Sequence, residues 1–157
     1  MMKMRVIEAT QTDIIKVKRS LTLRGLLDMF KDFHTTPLIP VVDAQDHLIG
    51  VVCPENLLDL LRPAQAKLFR NIPFMEMDED AFDLEPIPSM GELIIVDDIM
   101  DTNFISIKGE DSLEEAYKIM RLNKKERLPV VDAEGKIMGI LGIFDIIWRM
   151  FKEKEVV

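Results

Sequence analysis

The chain has 157 residues, 48% of them hydrophobic, a formal charge of −8 and a pI of about 4.8. That balance excludes a nucleic-acid binder, which needs clustered Lys and Arg to displace counterions, and argues against docking to an anionic membrane surface. A single cysteine forbids a disulfide within the chain and points to a reducing compartment.

No apolar run reaches the roughly 18 residues expected of a membrane span. The opening MMKMRVIEATQTD lacks the apolar core of a signal peptide. The expectation is a cytoplasmic protein with no membrane insertion.

In chain order, Ile14–Val17 reads as a strand. A helix follows that Thr22 caps, with Leu23, Leu26, Leu27, Phe30 and Phe33 on its apolar face. Leu38 to Leu60 reads LIPVVDAQDHLIGVVCPENLLDL. It predicts a short β-branched strand, a polar turn at Gln45-Asp46, an apolar strand over Leu48–Val52, and a helix with Pro54 in its first position, where a missing N–H costs nothing.

Residues 62–95 follow a different pattern. Pro63 to Arg70 suits a short helix. Glu76, Asp78, Glu79, Asp80, Asp83 and Glu85 then crowd together ahead of Pro86 and Pro88. Such a cluster reads as a solvated loop without the ligand spacing of an EF-hand, although Phe74, Met77 and Phe82 give it an apolar side.

The first pattern then returns. Phe104–Ile107 is the second copy of the opening strand. Ser112-Leu113-Glu114-Glu115 has the form of a capping box, and Leu113, Ala116, Tyr117, Ile119 and Met120 form the next helical stripe. Arg127 to Arg149, RLPVVDAEGKIMGILGIFDIIWR, repeats the earlier hairpin and helix entry. Each copy carries PVVDA, and a Gly follows its Pro at the same distance (Gly50, Gly139). An internal repeat determines the architecture before any single element does. Each copy is strand, helix, strand, strand, helix. About 60 residues bury too little surface to be comfortably stable alone, so two copies sharing a core are expected.

The βαββα repeat, the PVVD strand and the Gly-led entry into the last helix resemble a tandem CBS-domain pair, or Bateman module, over residues 6–61 and 96–151. The resemblance implies an α/β (α+β) fold of two pseudo-symmetric repeats packed sheet to sheet, divided as 1–61, an acidic insert over 62–95, and 96–157. It implies no enzymatic activity. It implies instead a regulatory module that senses an adenosine-containing ligand of the AMP/ADP/ATP class and acts in trans on an unknown partner, and a homodimer. No nucleophile–base pair, phosphate-cradling glycine loop or metal-ligand cluster stands against that.

The resemblance also places two clefts. The first takes Asp145, Phe144, Gly142 and Ile140 from the second copy, and Thr10, Asp13 and Ile15 from the first, with Arg127 near a phosphate. The weaker one takes Asn56, Glu55, Cys53 and Val51 with Met100, Asn103 and Ile105. In the family pattern an Asp bonds the ribose hydroxyls, and a Thr or Ser meets the phosphate. Here Asp145 is present, but Gly142 and Cys53 replace the hydroxyl residue and Asn56 the second Asp. These departures favour AMP over ATP as ligand. They also admit a ligand-free dimerisation or interaction module. Trp148 is expected in the core or at a dimer interface.

Overall fold

A computed structural model describes residues 4–29, 38–61 and 89–156. The expected helix at 63–70, the acidic loop at 76–88, and Phe30 and Phe33 lie outside the described residues.

The first copy contains β1 (Val17–Lys18), α2 (Leu23–Met29), β2 (Ile39–Val42), β3 (Leu48–Val52) and α3 (Pro54–Leu58), the last running into a 3₁₀ turn at Asp59–Leu61. The second contains β4 (Ile107–Lys108), α6 (Leu113–Asn123), β5 (Arg127–Val131), β6 (Ile137–Gly142) and α7 (Ile143–Glu153). Among the described residues three short helices remain: α1 (Val6–Ala9), α4 (Met90–Leu93) and α5 (Val96–Ile99).

Each copy builds a three-stranded sheet in sequence order, the first pair parallel and the hairpin antiparallel. The opening strands are shorter than expected. Only Val17–Lys18 and Ile107–Lys108 join the ladders, because the residues before them leave the sheet to cross to the other copy. The two hairpins share one register, with Val41 opposite Gly50 and Val130 opposite Gly139.

The helix stripes are narrower than expected. Leu23 and Leu26 of α2, and Leu113, Ala116 and Met120 of α6, are buried, whereas Leu27 and Tyr117 are exposed. Thr22 Oγ1 accepts from Gly25 N at 3.1 Å and Ser112 Oγ from Glu115 N at 3.2 Å, so both caps form.

Among the described residues two cores result, and each borrows one fully buried residue from the other copy. Val6 of α1 packs among Ile107, Leu113, Met120, Leu128, Leu141 and Ile146. Val96 of α5 packs among Val17, Leu26, Ile39, Val41 and Val52. The backbone enforces the exchange. Val6 N donates to Asp111 O (2.7 Å) and Leu113 N to Met4 O (3.0 Å); at the equivalent place Leu23 N donates to Ile94 O (2.8 Å) and Val96 N to Leu21 O (2.8 Å).

The hairpin turns join as well. Leu48 N donates to Gly135 O and Ile137 N to Asp46 O, each at 3.0 Å. Asp43 and Asp132 hold the turns. Asp43 Oδ1 accepts from Gln45 N and His47 N, and Asp132 Oδ1 from Glu134 N and Lys136 N. The His47 and Lys136 amides, above all, stabilise the charged forms and pull both carboxyls below the usual range.

Candidate functional site

The two expected clefts fall where the segment after α1, and the segment after α5, cross to the far copy's hairpin. Gln11 N donates to Ile140 O at 2.9 Å and Ile140 N to Gln11 O at 3.0 Å; Val51 N donates to Asp101 O at 3.0 Å and Asp101 N to Val51 O at 2.8 Å. The repeated glycines let the crossing chain come this close. A Cβ on Gly139 would lie 2.2 Å from the Gln11 carbonyl oxygen and 2.6 Å from Thr10 Cγ2; one on Gly50 would lie 2.7 Å from Met100 Sδ. Here glycine is needed for close backbone approach.

At the first cleft β6 runs directly into α7, with Gly142 as the N-cap. Asp145 is the third helical residue, and its Oδ2 accepts the Gly142 N–H at 2.8 Å. Three other helix starts are closed the same way: Arg5 N to Glu8 Oε2, Cys53 N to Asn56 Oδ1 and Ile95 N to Asp98 Oδ2. The acid or amide of the repeated motif therefore has a structural task at every entry, satisfying a free N–H and complementing the helix dipole. Asp145 Oδ1 points the other way and accepts from Gln11 Nε2 of the other copy at 3.1 Å.

Of the residues expected there, Asp145, Gly142, Ile140 and Arg127 come together. Arg127 pairs with Gly142 in the ladder, is exposed, and has its Cγ 3.8 Å from where a Cβ on Gly142 would sit. Thr10 lines the wall with its methyl group. Its hydroxyl is spent on the Val6 carbonyl at 2.7 Å, closing α1. Asp13 and Ile15 lie exposed further along the crossing segment, and Phe144 is 76% exposed. The Ile143 N–H is taken by Glu126 O at 2.8 Å, and that of Gly142 by Asp145. Two of the helix-start donors that would meet an anion are already committed.

At the second cleft Val51 is buried beneath Asp101, and Met100 covers Gly50. Glu55 is exposed and Ile105 packs on the second copy's core. Cys53 is half-buried. Burial pushes its thiol up, helped by the negative charges of Glu55 and Asp101 and opposed by Lys125. Asn103 is exposed, and its N–H is held by Asp101 Oδ1 at 2.8 Å.

Gln11 and Asp101 are the cleft residues that sequence reasoning passed over. They occupy matching places, so the acid and the amide have changed sides: Gln11 faces Asp145 in one cleft, while Asp101 shares the other with Asn56. Their positions beside Thr10 and Met100 were visible in the sequence, but the crossing that brings them to the far hairpin was not.

The exchanged cores, the crossing strands and the paired clefts define a pseudo-two-fold pair of βαββα units. The chain belongs to the CBS-domain family, whose model matches residues 6–63 and 96–152. It is 30% identical over 132 residues to the CBS domain-containing protein CBSX1, chloroplastic, of Arabidopsis thaliana, covering 82% of this chain and 56% of that protein. The chain thus spans about half the length of this curated relative. Among solved structures it resembles CBSX2 of Arabidopsis thaliana in complex with AMP, with a TM-score of 0.70, 24% identity, and 96% and 98% of the two chains covered. It also resembles the CBS domain pair of protein MJ0100 in complex with 5′-methylthioadenosine and S-adenosyl-L-methionine, with a TM-score of 0.63, 17% identity, and 98% and 99% covered. Among the described residues no helix is long and apolar enough to cross a membrane, and no group of three His, Cys, Asp or Glu is placed to hold a metal ion.

Proposed function

We propose that this chain is a non-catalytic regulatory module that binds an adenosine-containing ligand in the Asp145 cleft and signals occupancy in trans to a partner protein in the cytoplasm. The repeats would be 1–61 and 96–157, with 62–95 as an insert. The observation that carries the reading is Asp145, anchored through one carboxylate oxygen and directing the other across the cleft, with the exposed Arg127 paired to Gly142 at the helix entry. A carboxylate oxygen accepts ribose hydroxyls, and Arg suits a phosphate. The ligands bound to CBSX2 and MJ0100 are adenosine compounds, which supports the class.

AMP is favoured over ATP. Gly142 offers no hydroxyl, two helix-start N–H groups are already used, and the chain is strongly acidic. The test is a thermal melt of the protein with AMP, ADP, ATP and S-adenosylmethionine. At about a hundredfold excess over Kd a ligand stabilises by about 2.7 kcal/mol, which for a chain of this size raises Tm by about 5–10 °C. AMP is expected to give the largest shift, and none of the four is expected to turn over.

If none shifts Tm, the second reading gains: an interaction module that works without a ligand. The observation favouring it is the outer face of α7, where Phe144, Trp148 and Phe151 are 76%, 60% and 50% exposed. Trp148 is therefore a surface residue and not part of the core. A stripe at this spacing suits burial against another helix. On either reading we expect a homodimer built on this face. Light scattering should return twice the chain mass at micromolar concentration, and Trp148→Glu should return a monomer; a wild-type monomer would sink the expectation.

A further inference from the structure

We infer that Gln11 is a specificity-determining residue of the Asp145 cleft: its side-chain amide latches onto the carboxylate oxygen that a ribose diol would use, so ligand binding has to displace it. The inference rests on the nucleotide reading above.

Asp145 has one inward and one outward oxygen. Oδ2 accepts the Gly142 N–H at 2.8 Å and lies only 3.1 Å from where a Cβ on Gly142 would stand, pressed against the main chain. Oδ1 faces the cleft, and Gln11 Nε2 sits on it at 3.1 Å. The backbone fixes Gln11 in that place through the two bonds to Ile140. The latch therefore needs no change in the crossing strand to form, and only a side-chain rotation to open.

The hydrogen bond is charge-assisted but exposed, so it is weak enough for a ligand to replace and strong enough to cost affinity. The latch is specific to this cleft. At the matching position of the other, Asp101 turns its Oδ1 to the Asn103 N–H, and the Asn56 carbonyl oxygen is held by Cys53. There an acceptor stands where Gln11 supplies a donor.

The experiment is calorimetric titration of the full chain, wild type, Gln11→Ala and Gln11→Leu, with AMP and with 2′,3′-dideoxyadenosine monophosphate, each variant first shown to melt cooperatively. Both variants are expected to bind AMP about three- to tenfold more tightly than wild type, the scale of one modest hydrogen bond. The dideoxy nucleotide should bind all three proteins alike, since it leaves Oδ1 to Gln11. Weaker or unchanged AMP binding in the variants overturns the latch while leaving the nucleotide reading intact. Equal gains for both nucleotides also overturn it, because they indicate a loosened cleft. If wild type binds no AMP but the variants do, the latch stands. If none of the three binds AMP, the nucleotide reading falls and the latch with it.

Discussion

Gly139→Ala is expected to destabilise the protein by about 3 kcal/mol, and Gly50→Ala by about 1 kcal/mol, although the two glycines hold the same place in the repeat. Over-packing a tight site costs about 1–3 kcal/mol, and what the new methyl meets decides where in that range each falls. At Gly139 it meets the Gln11 carbonyl oxygen at 2.2 Å and the Thr10 methyl at 2.6 Å. A main-chain oxygen in a ladder cannot step aside without breaking the paired bonds between Gln11 and Ile140. At Gly50 the nearest atom is Met100 Sδ at 2.7 Å, with the Asp101 carbonyl oxygen at 3.3 Å. A methionine end is flexible and can repack. Replacing glycine within a strand also removes unfolded-state freedom, which offsets part of the smaller loss. Denaturant midpoints at constant m-value measure both. Equal losses, or a larger loss at Gly50, would show that the crossing segments are not held as closely as these distances require.

The repeat, the hairpins and the helix entries were legible because each rests on local chemistry. PVVD supplies the strand, its Asp accepts the turn amides, and a Pro or Gly opens the helix. The exchange of Val6 and Val96 between cores was not legible. A single buried valine in a four-residue helix has no period, and its partners lie 44 to 140 residues away along the chain. The opening strands were over-extended for the same reason: Ile14 and Ile15 have β propensity, but a crossing to another sheet overrides it.

Helix faces were legible only in part. Tyr117 and Leu27 fall on the apolar stripe by spacing, yet each sheet is too narrow to cover the whole stripe. At the candidate site, motif and position placed Asp145 and Arg127 at the helix entry, where the fold brings them together. Gln11 was missed because its role depends on which strand crosses the cleft. The capping task of Asp145, and its recurrence at Asn56, Glu8 and Asp98, depends on the folded geometry of each helix entry.

Asp145→Ala is expected to weaken AMP binding by about 1.5–3 kcal/mol, the scale of a hydrogen bond to a charged group, and Asn56→Ala by much less. Both residues cap a helix through the same bond, so both variants should lose a similar amount of stability, about 1 kcal/mol. The binding effects separate them. Asp145 keeps a second, charged oxygen directed across its cleft, where the exposed Gln11 amide donates to it. Asn56 spends its only acceptor oxygen on the Cys53 N–H at 2.7 Å and has a neutral amide left to offer. Asp145→Asn divides the two tasks of the carboxylate. Its amide oxygen can still cap Gly142, so stability should largely recover, while the outward group becomes a neutral –NH₂ that offers a ribose hydroxyl no charged acceptor. Affinity for AMP should stay reduced in this variant. Calorimetry for AMP and thermal melts without ligand, on all three variants, make the comparison. Unchanged AMP affinity in Asp145→Ala, or a larger loss of affinity at Asn56 than at Asp145, would mean that the ribose lies in the other cleft; recovery of affinity in Asp145→Asn would mean that the diol needs no charged acceptor.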